Sequence, residues 1–287
     1  MITQEKIIPQ KYLFGKREFD FNFPFVMGIL NVTPDSFSDG GKYLSQADAF
    51  SHASEMIEAG VDIIDIGGES SRPGSIPISL NEEMDRVIPV IQIIKKKYPQ
   101  SVISVDTTKY EVAVEALKCG AEIINDVSGL TFDERIADAV AKFSAGLILM
   151  HIKGTPKDMQ NNPEYNDIIS EIKYFLRTQI SKAEIKGVGK IIIDPGIGFG
   201  KKYDDNFLIL KNIQKLCSVG YPLLIGVSRK SFIGNELGLE VTERDIPSAI
   251  LETAAIQSGA RIIRTHNYKN GIYIRNLMRK ILLQNNV

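Results

Sequence analysis

MGILNVTPDSFSDGG, residues 27–41, holds an apolar run that stops dead at Asn31. The run, Phe25 to Leu30, reads as a strand buried on both faces. The polar stretch behind it carries Asn31, Thr33, Asp35, Ser36, Ser38 and Asp39, with Pro34, Gly40 and Gly41 as turn formers. A buried strand that opens into a loop of hydroxyls and carboxylates is the local signature of a site built at a strand end.

The same arrangement recurs along the chain. Apolar runs follow at Ile63–Ile66, Val102–Val105, Ile123–Ile124, Leu147–Met150, Ile191–Ile193, Leu223–Ile225 and Ile262–Ile263. Helix-patterned segments separate them. Ser79 to Glu82 fits a capping box, and Met84, Val87, Ile88 and Ile91 follow at helical spacing. Ser45 to Asp48 is a similar start with Phe50, Ala53 and Ile57 behind it, and Ile168, Ile172, Phe175 and Leu176 form another stripe. Pro89, inside the second helix pattern, predicts a kink or a locally broken turn. Eight strands alternating with helices give an α/β protein, a single closed (β/α)8 barrel, with an open doubly wound sheet as the runner-up. No linker or low-complexity tract divides the chain, so residues 25–287 form one barrel domain. Residues 1–24 form an extension packed on it, where KYLFGK (11–16) and EFDFNF (18–23) alternate as a hairpin covering one barrel end would.

In such a barrel the active residues gather at the C-terminal strand ends, where the connecting loops converge. Each run delivers a polar residue there: Asn31; Glu69 to Arg72; Asp106 and Thr107; Asn125 and Asp126; His151; Asp194; the SRKS of 228–231; and Arg264 to His266. Any one of them is equally well a turn former or helix cap, but eight at one rim make a site. Asp106, Asn125 and Asp194 form a floor of acceptors and an amide, suited to a flat heterocycle with guanidine-like N–H donors. Arg72, Arg229, Lys230, Arg264 and His266 form a basic set suited to phosphate or diphosphate. His151 either lines the site or bonds a loop, and His52 reads as a surface residue. DPGIGFG (194–200) lacks the dinucleotide-binding spacing.

Composition bounds the partners. The 287 residues are 44% hydrophobic, enough for a sizeable core, and carry a formal charge of -1. That balance argues against nucleic acid or an anionic membrane. Cys119 and Cys217 stand far apart and outside any metal-ligand cluster, as reduced thiols of a cytosolic protein do. The charged N-terminus lacks the apolar core of a signal peptide, and no run reaches the roughly 20 residues needed to span a bilayer. A soluble, cytoplasmic protein is expected.

With these residues in view the chain resembles the dihydropteroate synthase family of pterin-binding barrels. The resemblance runs from Met27 onward through MGILNVTPDSFSDGG, DIGGESSRPG (65–74), SVDT (104–107), INDVSG (124–129), LMHIKGTPKDMQ (149–160), DPGIGFGK (194–201), GVSRKSFIG (226–234) and RTH (264–266). It implies a TIM barrel that joins p-aminobenzoate to 7,8-dihydropterin-CH2 diphosphate, releasing diphosphate, with Mg2+ and as a homodimer. It further implies that Ser71, Asp106, Asn125, Asp194 and Lys230 hold the pterin, and that Asn31 contacts Mg2+ and, through it, the diphosphate. Arg264 and His266 would bind diphosphate oxygens. Phe37, Arg72, Pro73 and Ser231 would line the p-aminobenzoate pocket, with Asp39, Arg72 and Lys230 closest to the chemistry. Ser71 stands where many members have Thr, and Thr265 where Val is commoner. The rivals are a corrinoid-linked pterin methyltransferase, which has no diphosphate to explain the cations, and a pterin-binding paralogue without activity.

Overall fold

The computed structural model describes residues 11–33, 46–70 and 74–284. Strands β1 (Lys11–Phe14) and β2 (Arg17–Asp20) form an antiparallel hairpin. The barrel strands are β3 (Phe25–Asn31), β4 (Ile63–Gly67), β5 (Val102–Asp106), β6 (Ile123–Asp126), β7 (Gly146–Met150), β8 (Ile191–Asp194), β9 (Leu224–Ile225) and β10 (Ile262–Thr265). They pair in parallel in the order β8-β7-β6-β5-β4-β3-β10-β9. A parallel bridge between Ile193 and Leu223 closes the ring, so the closed (β/α)8 barrel is the architecture and the open sheet is excluded.

The helices are α1 (Gln46–Glu58), α2 (Leu80–Lys97), α3 (Tyr110–Lys118), α4 (Arg135–Lys142), α5 (Ile168–Ile185), α6 (Tyr203–Lys211), α7 (Ile213–Cys217), α8 (Ser231–Leu237), α9 (Asp245–Gln257) and α10 (Tyr268–Gln284). Two local expectations need correction. Ser79 caps α2 by accepting from the Glu82 N–H at 3.2 Å, but the Glu82 carboxylate turns to Arg86 at 2.5 Å, so the capping box is half made. Pro89 breaks nothing: α2 runs through it unbroken. The carbonyl that loses its partner belongs to exposed Asp85, where water can serve it, while Val87, Val90, Ile91 and Ile94 hold the inner face.

Strand parity sorts the core into two layers, because successive side chains point to opposite faces. Leu30, Ile64, Ile66, Ile103, Val105, Leu147, Leu149, Ile193 and Ile263 pack outward against the helices. Met27, Ile63, Val102, Ile123, Ile148, Ile192, Leu224 and Ile262, at least one from each barrel strand, point inward. The hairpin seals this inner layer from below. Tyr12, Phe14, Phe19 and Phe21 join it, with edge-on contacts between Tyr12 and Phe14, Tyr12 and Phe21, and Phe14 and Phe19. Phe14 packs so close to Gly146 that a Cβ there would lie 2.5 Å from its ring, which is why β7 opens on glycine. Tyr12 also donates to the Ile191 carbonyl at 3.0 Å, and Arg261 to the Phe21 carbonyl at 2.8 Å. With its lower end filled by aromatics, the barrel offers the strand C-termini to a ligand.

Candidate active site

The inward parity that gives isoleucine at the bottom gives polar side chains one step up. Register places Asn31, Gly67, Asp106 and Asn125 side by side on adjacent strands, and one step lower sets Asp65 beside Ser104. Asp65 lies within an otherwise apolar run and was not singled out among the expected site residues. It is fully buried, and its Oδ2 accepts from Asn125 Nδ2 at 3.1 Å and from Arg264 Nε at 2.6 Å. Its Oδ1 has no hydrogen-bond partner. A lone acidic residue at an inward strand position is the signal that could have found it, because such burial needs compensation.

Arg264 also donates through Nη2 to Asp106 Oδ2 at 3.0 Å. The acidic and basic sets therefore interlock rather than stand at opposite ends. Burial opposes the charge on Arg264, and Asp65 and Asp106 more than restore it. Asp106 is raised to about 7, chiefly by burial; Arg264 opposes the rise, while Asp65, Glu83 and Asp126 add to it. Asp194, at the end of β8, is raised to about 6 by burial, although its Oδ1 accepts from the Gly196 N–H at 2.7 Å and Lys230 favours its charged form. Lys230, the residue before α8, is pushed down to about 8 by burial and by Arg264. Its ammonium sits 4.0 Å from the centre of the Phe199 ring, a cation–π contact. Three groups, Asp194 buried and Asp106 and Lys230 half-buried, with pKa values displaced toward neutrality in one mouth mark a ligand site.

Around this floor the structure separates site residues from scaffold. Asp126 is scaffold: its carboxylate accepts from Ser128 N, Ser128 Oγ and Leu130 N. Arg229, grouped with the cations above, is bound by Asp245 through Nε at 2.6 Å and Nη2 at 3.0 Å. His151 is buried; its Nδ1 is 2.9 Å from Lys201 Nζ, and its ring meets Phe175 edge-on, so it serves the packing of the loop. Lys201 ties that loop to the next by donating to the His151 carbonyl at 3.3 Å, and braces its own loop by donating to the Phe199 carbonyl at 2.7 Å. Gly196 has φ +69°, and a Cβ there would lie 1.9 Å from the His151 carbonyl oxygen, so only glycine lets the two loops meet beside Asp194. His52, expected at the surface, is half-buried on α1, edge-on to Tyr268. His266 follows β10, and Ser231 opens α8 on the exposed side of the mouth.

Asp35, Phe37, Asp39, Ser71, Arg72 and Pro73 lie outside the described residues. The stems of their loops are placed. Val32 N donates to the Gly67 carbonyl at 2.8 Å, joining the two loops at the base. Lys109 pairs with Glu69 and Glu83, and Arg86 holds the Gly68 carbonyl at 2.8 Å. Gly74 N donates to the Pro156 carbonyl at 3.0 Å, so the loop after β4 reaches the loop after β7 across the mouth.

Among the described residues no group of three or more His, Cys, Asp or Glu could hold a metal ion. That donor set fits a cation arriving with a phosphate ligand better than a resident one. Mg2+ commonly takes one or two protein oxygens and fills the rest with water and phosphate. The Asn31 amide oxygen faces Gly67, where a Cβ would stand 3.7 Å from it, so the missing side chain leaves room beside that oxygen.

A closed barrel with an acidic-amide floor, a half-buried arginine and a half-buried lysine at its C-terminal mouth defines a binder of small, donor-rich, anion-bearing molecules. The family model described as pterin binding enzyme matches residues 27–266, and the chain belongs to that family. It is 46% identical to the dihydropteroate synthase of Synechocystis sp. over 88% of this chain and 89% of that one. It is 44% identical to that of Escherichia coli K12 over 88% and 90%. The solved structure of the Yersinia pestis dihydropteroate synthase in a sulfonamide drug complex superposes with a TM-score of 0.89 at 38% identity, covering 94% of this chain and 98% of that one. The Xanthomonas albilineans enzyme with 4-aminobenzoic acid gives 0.88 at 38% identity, covering 95% and 98%. No helix among the described residues is long and apolar enough to cross a membrane.

Proposed function

We propose that the chain is a dihydropteroate synthase, a transferase of folate biosynthesis. It condenses 7,8-dihydropterin-CH2 diphosphate with p-aminobenzoate to give 7,8-dihydropteroate and diphosphate. The observation that carries this reading is the interlocked floor of Asp65, Asp106, Asn125, Asp194, Lys230 and Arg264 inside the matched family span. Asp194 and Asp106 accept from the pterin N–H groups, and the ring's donors replace the water that keeps buried carboxylates charged. Asn125 completes the edge, with Ser71 above it. Lys230 donates to the ring's acceptors. Arg264 has Nη1 outside both of its ion pairs, and with His266 it faces the diphosphate.

In the reaction the bond between the methylene carbon and the bridging diphosphate oxygen breaks, and its electron pair leaves on the diphosphate. The methylene cation is conjugated with the electron-rich pterin. The p-aminobenzoate nitrogen then forms the new C–N bond, and its displaced proton passes to solvent. Little acid–base help is needed, which agrees with the absence of a placed general base among the described residues. Asn31 would hold Mg2+, which supplies positive charge to the leaving diphosphate. The loops carrying Asp39, Phe37, Arg72 and Pro73, with Ser231, would enclose the p-aminobenzoate and keep water from the cation. The contact between Gly74 and Pro156 supports closure across the mouth.

The protein would act as a homodimer in the cytoplasm. Ile246 and Ile250 on α9, and Tyr273 and Leu277 on α10, are 71%, 63%, 66% and 66% exposed. The two helices are packed neighbours, and so contiguous an apolar face suits a second copy. Sedimentation of Leu277→Glu should give a monomer; an unchanged mass would remove this face from the interface. The function itself is tested by supplying both substrates with Mg2+ and following dihydropteroate. Sulfonamide should compete with p-aminobenzoate alone. Purified, folded protein that makes no product would refute the assignment.

A further inference from the structure

Thr265 has the parity of Ile263, which packs toward the helices, and it is only 1% exposed. A hydroxyl in an apolar layer needs a partner. It has one on each side. On α9 the Glu252 carboxyl, also 1% exposed, bonds the Thr265 hydroxyl, and its Oε1 finds no further hydrogen bond. Burial pushes this carboxyl up to about 8, so it keeps its proton at neutral pH. In the other direction Thr265 Oγ1 lies 3.4 Å from Ser228 Oγ. Ser228 Oγ stands 3.0 Å from the His266 backbone nitrogen and 3.0 Å from His266 Nδ1. The charged neighbour at both ends is Asp245, which Arg229 and Asn267 hold.

The protons in this row can be assigned by counting. A serine hydroxyl has one proton and two lone pairs. The His266 backbone N–H can only donate, so it occupies one lone pair. The protonated Glu252 gives its hydrogen to Thr265, which turns the Thr265 proton toward the second lone pair of Ser228. The Ser228 proton is then left for Nδ1, which must accept it. A neutral imidazole that accepts at Nδ1 carries its own proton on Nε2.

We infer that Ser228, aligned by Thr265 and Glu252, is a positioning residue that fixes His266 as the Nε2–H tautomer, so that the ring meets a diphosphate oxygen as a donor. The tautomer rests on these contacts together with the proton held by Glu252, and its use rests on the diphosphate role proposed above for His266. The other tautomer would turn a lone pair toward an oxyanion and repel it.

The test is a long-range ¹⁵N–¹H correlation spectrum of the full-length protein labelled at histidine. The chain has three histidines, His52, His151 and His266, and His266→Gln identifies the third by the loss of its signals. Wild type should show the Nε2–H pattern. Ser228→Ala should add the Nδ1–H pattern, and Ser228→Thr, which keeps the hydroxyl, should not. Thr265→Val should give a smaller shift in the same direction. Calorimetry with inorganic diphosphate and Mg2+ should show about tenfold weaker binding for Ser228→Ala, the loss of roughly one charge-assisted hydrogen bond. An Nδ1–H pattern in wild type, or a Ser228→Ala spectrum identical to wild type, overturns the inference. His266→Ala with undiminished diphosphate binding would overturn the diphosphate role and leave the tautomer assignment standing.

Discussion

The two ends of the barrel handle buried charge in opposite ways. At the lower end Asp62, fully buried, is surrounded by donors. Arg17 reaches its Oδ1, and Arg275 and the Val26 N–H reach its Oδ2 at 2.8 and 2.9 Å. Three residues along the same segment, Asp65 at the upper end shares one arginine with Asp106 and leaves an oxygen unbonded. The lower end is closed by aromatics and has its electrostatics settled within the fold. The upper end is short of donors, and burial raises Asp106 and Asp194 to about 7 and 6. An incompletely satisfied cluster costs stability unless a ligand completes it. In this barrel the deficit is the binding site.

The sharpest way to break this contrast is Asp194→Ala. It removes an acceptor at the upper end, and pterin affinity by calorimetry should fall on the order of a thousandfold; undiminished binding would show that Asp194 is scaffold. Phe19→Ala strikes the lower end instead. It should lower unfolding free energy in urea by about 3–4 kcal/mol, while kcat of the folded fraction stays within about twofold of wild type. A large fall in kcat with normal stability would mean that the plug and the mouth are coupled.

Asp65→Asn keeps the shape but removes the anchor that orients Asn125 and Arg264. Pterin affinity should weaken about tenfold, and equal binding would confine Asp65 to a packing role. The smallest effect concerns pH. Asp106 and Asp194 have folded-state pKa values raised from 3.8, so the stability they contribute is complete below about pH 4 and is lost as pH rises through 6 and 7. Each group, while it titrates, should lower the ligand-free unfolding free energy by at most about 1.4 kcal/mol per pH unit. Asp106→Asn should flatten that slope, and a wild-type slope in this variant would deny the residue its displaced titration.

The ring and its mouth were legible because alternation is a local property. Each apolar run declared a strand, and the first polar residue behind it declared the rim. Even KYLFGK and EFDFNF announced the hairpin through period-two aromatics. Asn31, Asp106, Asn125, Asp194 and Arg264 turned out to be strand residues rather than the loop residues their polarity suggested, since an inward side chain at the mouth leaves the backbone ladder intact. What stayed hidden was long-range. Nothing local says that Arg264 will reach residues 65 and 106, or that Asp245 will claim Arg229. The half-made cap at Ser79 likewise depends on which partner Glu82 finds. The opening loop and the SSRP of 70–73, with Asp39, Phe37, Ser71, Arg72 and Pro73, mostly lie outside the described residues.

The aromatic hairpin has a consequence for how the chain is born. Its partners arrive late: Tyr12 bonds residue 191, Phe21 bonds residue 261, and the layer it seals includes Ile262. A growing polypeptide therefore carries four bulky rings whose docking layer is complete only when almost the whole message has been translated. Contacts of such sequence separation form slowly and leave sticky surface exposed meanwhile. Chaperone demand during synthesis should fall on this first segment rather than on the catalytic loops.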